Sequence, residues 1–163
     1  MTTERLTQAS FEEFVVAAEP RLRHALVAAL GRERGREATA EALAYGWEHW
    51  GDVQAMANPV GYLYRVGRSR LRVRRHRIEF DPTAMHEVAV AGSSRIPEIE
   101  PGLPEALALL SERQRVAVFL ICGMDWTRRD VADLFGISVN SVGSHLDRGL
   151  AKLRKRLGVS IDE

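Results

Sequence analysis

The stretch LSERQRVAVFLICGMDWTRRDVADLFGISVNSVGSHLDRGLAKLRKRL, residues 110–157, decides the architecture of this chain. Three helix-start signals punctuate it. Ser111 and Gln114 stand at capping-box spacing, ahead of an apolar segment that is expected to stop near Gly123. Thr127 and Asp130 repeat the signal ahead of RRDVADLF, which Gly136 closes, and Ser138 caps a longer helix from Val139. A short helix, a turn built on FGIS and a longer helix is the spacing of a helix-turn-helix. In the last helix Val139, Val142, Leu146, Leu150, Leu153 and Leu157 fall within about 80° of arc. Opposite them lie Ser141, Ser144, Arg148, Lys152 and Lys155, with Asn140 and His145 at the flanks. Short hydrogen-bonding residues in the first turns and cations afterwards suit DNA, where the start of a recognition helix meets base edges and cations meet phosphate oxygens. The plainer alternative is an amphipathic helix with an ordinary basic end.

Upstream the charge is sharply segregated. Residues 60–77 carry seven arginines and no acid, while residues 78–104 carry five acids against one arginine. That acidic stretch holds four of the six prolines and has no sustained period of 3.6 or 2, so it reads as a linker between two helical domains. Asn58 and Pro59 are expected as N-cap and first residue of the arginine-bearing helix. Arg65, Arg68, Arg72 and Arg75 gather within about 80° of one another, with Leu63, Val66 and Val73 on the far side. With no acid at the neighbouring turns, these arginines lack the ion pairs a merely solvated helix uses, which favours polyanion binding over a solvated face.

Toward the amino terminus, Ser10 and Glu13 also have capping-box spacing, opening an expected helix from Phe11 to near Gly31 that Pro20 divides or kinks. A second helix is expected near Glu37 to Trp50. Leu43, Trp47 and Trp50 fall on one stripe, read as buried, and Glu37, Glu41, Tyr45 and Glu48 on the opposite one, which is either a solvated or a docking surface.

With 163 residues, 45% apolar and 28% charged, the chain is one ordinary domain or two small ones. Its start lacks a secretory core, and its longest apolar run, residues 116–122, is far short of the roughly 20 residues a membrane span needs, so a soluble chain is expected. The lone Cys122 excludes an internal disulfide and, flanked by apolar residues, is read as a core residue. Asp130 and Asp133 lie one turn apart, but Asp130 is better used to start a helix, and the five histidines show no ligand spacing. Ser144 and His145 point in different directions along one helix. No catalytic residue, metal or cofactor is therefore expected. The expected fold class is all-α, with two small helical domains, 1–77 and 104–163, joined by the acidic linker 78–103, the second a helix-turn-helix.

The stretches EALAYGWEHW (41–50), NPVGYLYRVGRSR (58–70) and residues 110–157, in this order, resemble the sigma factors of bacterial RNA polymerase, most closely the two-domain extracytoplasmic function group. The resemblance spans residues 11–157 and implies an alternative sigma factor in the cytoplasm; the rival reading is a free-standing helix-turn-helix regulator. It implies that the first domain grips the clamp helices of core polymerase through Glu37, Glu41, Tyr45 and Glu48, with further contact to the polymerase flap. The loop at residues 52–58 would hold an extruded base, and Asn58, Tyr62, Tyr64, Arg65, Arg68, Arg72 and Arg75 would handle the minus-10 element as single strand. Asn140, Ser141, Ser144, His145, Arg148 and Lys152 would read the minus-35 element of promoter DNA. Gly143 and His145 stand where the family usually places basic residues, and the family often adds an anti-sigma protein as partner.

Overall fold

The computed structural model describes residues 2–72 and 102–158, and among these it is all-α. The first half begins with one long helix, α1 (Thr2–Leu30), followed by α2 (Arg32–Glu48), the short α3 (Trp50–Val53) and α4 (Pro59–Arg72). The second half holds α5 (Leu103–Ala108), α6 (Glu112–Val118) continued by a π turn over Phe119–Gly123, α7 (Arg128–Phe135) and α8 (Val139–Leu157). The 78–103 linker expectation lies almost wholly outside the described residues, as do Val73 and Arg75.

The expected start of α1 fails. The helix runs through Ser10 from Thr2, so Ser10 and Glu13 are no cap; instead the Ser10 hydroxyl donates to Thr7 O (3.3 Å) and accepts from Trp50 Nε1 (2.7 Å). Pro20, expected to divide or kink the helix, lies inside it without dividing it. Gly31, with φ of 85°, turns the chain directly into α2, which therefore starts five residues earlier than expected. At that corner α1 and α2 cross with Gly35 against the Val27 backbone, and Leu22 and Leu26 pack inward, each with no exposed surface.

The expected stripe on α2 is only partly buried. Trp50 is buried at 5% exposure, but it belongs to α3, and Trp47 is 47% exposed with its ring 5.2 Å from that of Phe11. The helix ends at Glu48, so the turn at His49 redirects Trp50 inward and leaves Trp47 near the rim.

The caps of the second half form where their spacing places them. Ser111 with Gln114 and Thr127 with Asp130 make complete reciprocal boxes, and the Ser138 hydroxyl accepts from Ser141 N (3.1 Å). Each hydroxyl satisfies an otherwise orphaned helix-start donor, a contribution of about 1 kcal/mol. Gly136 closes α7 in the left-handed region at φ of 67°, which costs glycine little. Val142 has no exposed surface, and Leu146 and Leu153 seat α8 on α6 and α7, as the stripe predicts; Val139, at its first turn, is 42% exposed. Cys122 also departs from expectation. The apolar run is buried through Leu120 and then rotates outward at the end of the π turn, leaving the thiol exposed.

The halves do not sit apart. Their buried residues form one continuous core from Leu22, Leu26, Leu63 and Tyr64 through Val116, Leu120, Val131 and Leu134 to Val142 and Leu146.

Candidate nucleic-acid interface

Two surfaces carry the residues singled out in the sequence, and the fold treats them differently. On α8, Asn140, Ser141, Ser144, Arg148 and Lys152 are exposed on one side of the helix, with His145 half-buried beside them. Ser138, Ser141 and Ser144 are partly engaged within the helix start: the Ser138 and Ser141 hydroxyls lie 2.8 Å apart and Ser144 donates to Asn140 O (3.2 Å). Lys152 reaches back to Gln114 Oε1 (3.1 Å) while remaining exposed. Burial, then the charges of Arg113 and Arg148, hold the His145 imidazole below its ordinary pKa. It therefore stands on this surface as a neutral donor and acceptor near neutral pH, and not as a cation. Sequence reasoning passed over Arg128 and Arg129, both exposed in the first turn of α7, the helix that in this motif crosses the DNA backbone.

The arginine helix α4 forms as expected, with Asn58 Oδ1 accepting from Gly61 N (2.9 Å) as its N-cap. Its surroundings do not follow the sequence reading. Arg68 Nε lies 2.6 Å from Glu112 Oε1 of α6, and Arg70 Nη1 lies 3.4 Å from Glu41 Oε2 of α2. Arg65 is exposed, yet its guanidinium donates to Leu134 O (3.5 Å) in the last turn of α7. Asn58 Nδ2 donates to Asp133 O (2.9 Å) in the same turn. The missing acids of α4 are thus supplied from other helices, which neighbouring sequence positions do not display. Arg72 ends the helix, and Arg75 lies outside the described residues.

Tyr64, expected on the strand-binding face, is 1% exposed, its ring 6.2 Å from that of Phe135 and its hydroxyl buried without a partner. Burial raises its pKa far above the usual tyrosine value. Its position on α4 turns it toward α7, so in this arrangement it is a core residue. Tyr62 is half-buried, its hydroxyl 3.0 Å from that of Tyr45. The expected polymerase-facing stripe is therefore mixed: Glu37 and Glu48 are exposed, Glu41 is paired with Arg70, and Tyr45 is held by Tyr62 and stacks on His49 at 4.1 Å.

The two halves are pinned at a second place. Arg21 of α1 lies 3.3 Å from Asp130 Oδ1 and 4.3 Å over the Trp126 ring. These residues, with Phe14, Asn58 and Asp133, border a cleft of about 380 Å3 between α1, the start of α4 and α7. Asp130 also accepts from the Thr127 hydroxyl (2.7 Å) and backbone N–H (2.9 Å), and these bonds, then Arg21, hold its carboxyl below the usual range. A lowered carboxyl pKa stabilises the fold above the unfolded value, near pH 4, and the benefit fades as pH falls through the folded value. Asp130→Asn is accordingly expected to be less stable than wild type at pH 7, with the gap narrowing as the pH is lowered below about 4 in paired urea titrations. A gap that stays undiminished down to the lowest pH at which both chains fold would contradict this.

This arrangement defines a two-lobed helical protein whose second lobe presents a helix-turn-helix. Residues 102–153 match the family model for sigma-70 region 4. Nine chains of known structure match, among them the sigma factor RpoE of Bartonella quintana in complex with the anti-sigma factor NepR. That likeness has a TM-score of 0.62 at 19% identity and covers 93% of this chain and 99% of RpoE, so the sigma-factor fold spans both lobes. No curated protein matches by sequence.

Proposed function

We propose that the chain is an alternative sigma factor of the extracytoplasmic function type, carrying core RNA polymerase to a restricted set of promoters and assisting their melting. The observation that carries this reading is the α7–α8 unit, a region 4 match whose exposed side runs from Asn140, Ser141 and Ser144 to Arg148 and Lys152. Polar residues in the first turns suit base edges of the minus-35 duplex, and the cations beyond them suit phosphates. The region 4 match favours this role over the free-standing helix-turn-helix regulator. A sigma factor is not itself an enzyme. The working place of such a protein is the cytoplasm; among the described residues no helix is long and apolar enough to cross a membrane.

In this reading residues 1–77 act as a region 2-like domain, 78–103 as the linker and 104–163 as the region 4-like domain. Glu37, Glu48 and the neighbouring Tyr45 meet the clamp helices of polymerase, and the second domain meets its flap. Asn58, Tyr62, Arg65 and Arg68, with Arg72 and Arg75 beyond, take the minus-10 strand once their present partners release them. An anti-sigma protein is a natural further partner, as RpoE has one.

Run-off transcription from genomic fragments with purified core polymerase tests the proposal: addition of the chain is expected to yield discrete promoter-dependent transcripts. Arg148→Ala is expected to weaken holoenzyme binding about tenfold, on the order of 1–2 kcal/mol. The loss is selective for one position of the minus-35 element if Arg148 reads a base, and uniform across sequences if it holds phosphate. Failure to support initiation from any fragment would overturn the reading.

A further inference from the structure

Gly143 stands in the second turn of α8, three residues after the exposed Asn140 and just before the exposed Ser144. It is nevertheless buried. Among the described residues, what a Cβ at Gly143 would meet is the guanidinium of Arg128, with Nη1 at 3.8 Å. The first arginine of α7 thus reaches across the motif and lies on α8, over the one spot of this turn that has no side chain of its own. Pairing does not account for its place there. Arg21 leans on Asp130 and Arg70 on Glu41, whereas no hydrogen bond or ion pair holds the exposed Arg128 among the described residues. Asp130, the acid of its own turn, is taken up by Thr127 and Arg21. Asp147, one turn beyond Gly143 on α8, is exposed and makes no ion pair with it. Arg128 is therefore a charged fork of donors with nothing to donate to. A long side chain at position 143 would displace it, and glycine leaves it room.

We propose that Arg128 is a base-reading residue for the minus-35 duplex, acting from α7 through the gap that Gly143 leaves on α8. The proposal rests on the reading of α8 as the helix that enters the major groove. The first turns of such a helix meet base edges, and a guanidinium lying against the second turn enters the groove with them. Its planar fork matches the O6 and N7 acceptors of one guanine, a bidentate contact that rejects the other bases. Arg129 is the natural contrast. It carries the same charge in the same turn but points about 100° away around α7, which leaves it to phosphates.

The holoenzyme tests this. Wild-type and variant chains, each combined with core polymerase, select duplex promoters from a library randomised over the minus-35 element. The wild type is expected to select a motif in which guanine is preferred about tenfold at one position. Arg128→Ala is expected to erase that preference and leave the rest of the motif standing, and Arg128→Lys not to restore it, because one ammonium cannot reproduce the fork. Arg129→Ala is expected to keep every preference. Adding Gly143→Arg to Arg128→Ala supplies a guanidinium from α8 itself, and is expected to return a guanine preference. Since Arg128 has no partner in the fold, the thermal midpoints of its variants should match wild type. A motif that survives Arg128→Ala unchanged, or a loss spread evenly over all sequences, would overturn the proposal while leaving the sigma-factor reading intact. A wild-type holoenzyme that selects no minus-35 motif would overturn that reading, and this proposal with it.

Discussion

Replacing Arg115 with alanine is expected to lower the stability of the chain by about 3 kcal/mol, more than the loss of any other polar side chain between the lobes. Arg115 is 6% exposed and donates from Nε to Ala28 O (2.8 Å), from Nη2 to Ala29 O (2.9 Å) and from Nη1 to Leu110 O (3.2 Å). The first two acceptors are last-turn carbonyls of α1, which have no partner within their own helix. A cation from the second lobe thus caps the negative end of the first lobe's longest helix. Burial lowers the pKa of this guanidinium, but arginine remains charged in any protein. Truncation leaves carbonyls of both lobes without a donor in a dry site. Arg115→Lys is expected to recover only part of the loss, because one ammonium cannot reproduce a planar fork spanning two adjacent carbonyls. Urea denaturation measures both, and an alanine variant within about 1 kcal/mol of wild type would refute the assignment.

Gly35→Ala carries the second large effect, and propensity and packing disagree about its sign. In the first turns of α2, alanine should gain about 1 kcal/mol over glycine. The structure opposes this: a Cβ there would sit 2.5 Å from Val27 Cα and 2.6 Å from Val27 N. Backbone atoms cannot swing aside as a side chain would, so the α1–α2 crossing must open along its length. A net loss of about 2 kcal/mol or more is expected, with a fall of about 6 °C in the melting midpoint. A midpoint that rises would show that the two helices are not held at this distance.

What could be read from the chain and what could not divides by the range of the interaction. Caps are local: Ser111 with Gln114, Thr127 with Asp130 and Asn58 with Gly61 bond within three residues, so spacing alone located them. The same spacing at Ser10 and Glu13 misled, because an uninterrupted helix from Thr2 was available and Trp50, distant in sequence, took the Ser10 hydroxyl. The apolar stripe of α8 was legible from its period, except at Val139, which is 42% exposed. Arg115 shows the opposite case. It stands at the edge of an apolar run in RQRVAVFLIC, and that position was a signal for a buried cation, but nothing nearby names Ala28 and Ala29 as its acceptors.

The sequence by itself determined α4, α6, α7 and α8 with their start signals, and the helix-turn-helix with its polar and cationic side, since these follow from periodicity and from bonds spanning three or four residues. Only the tertiary structure decided that donors of the arginine helix, although Arg65 and Arg70 stay exposed, have acceptors on other helices. Its partners in the second lobe, Glu112, Asp133 O and Leu134 O, lie between 44 and 75 residues away, and pairing over such separations depends on how the lobes pack rather than on any local pattern.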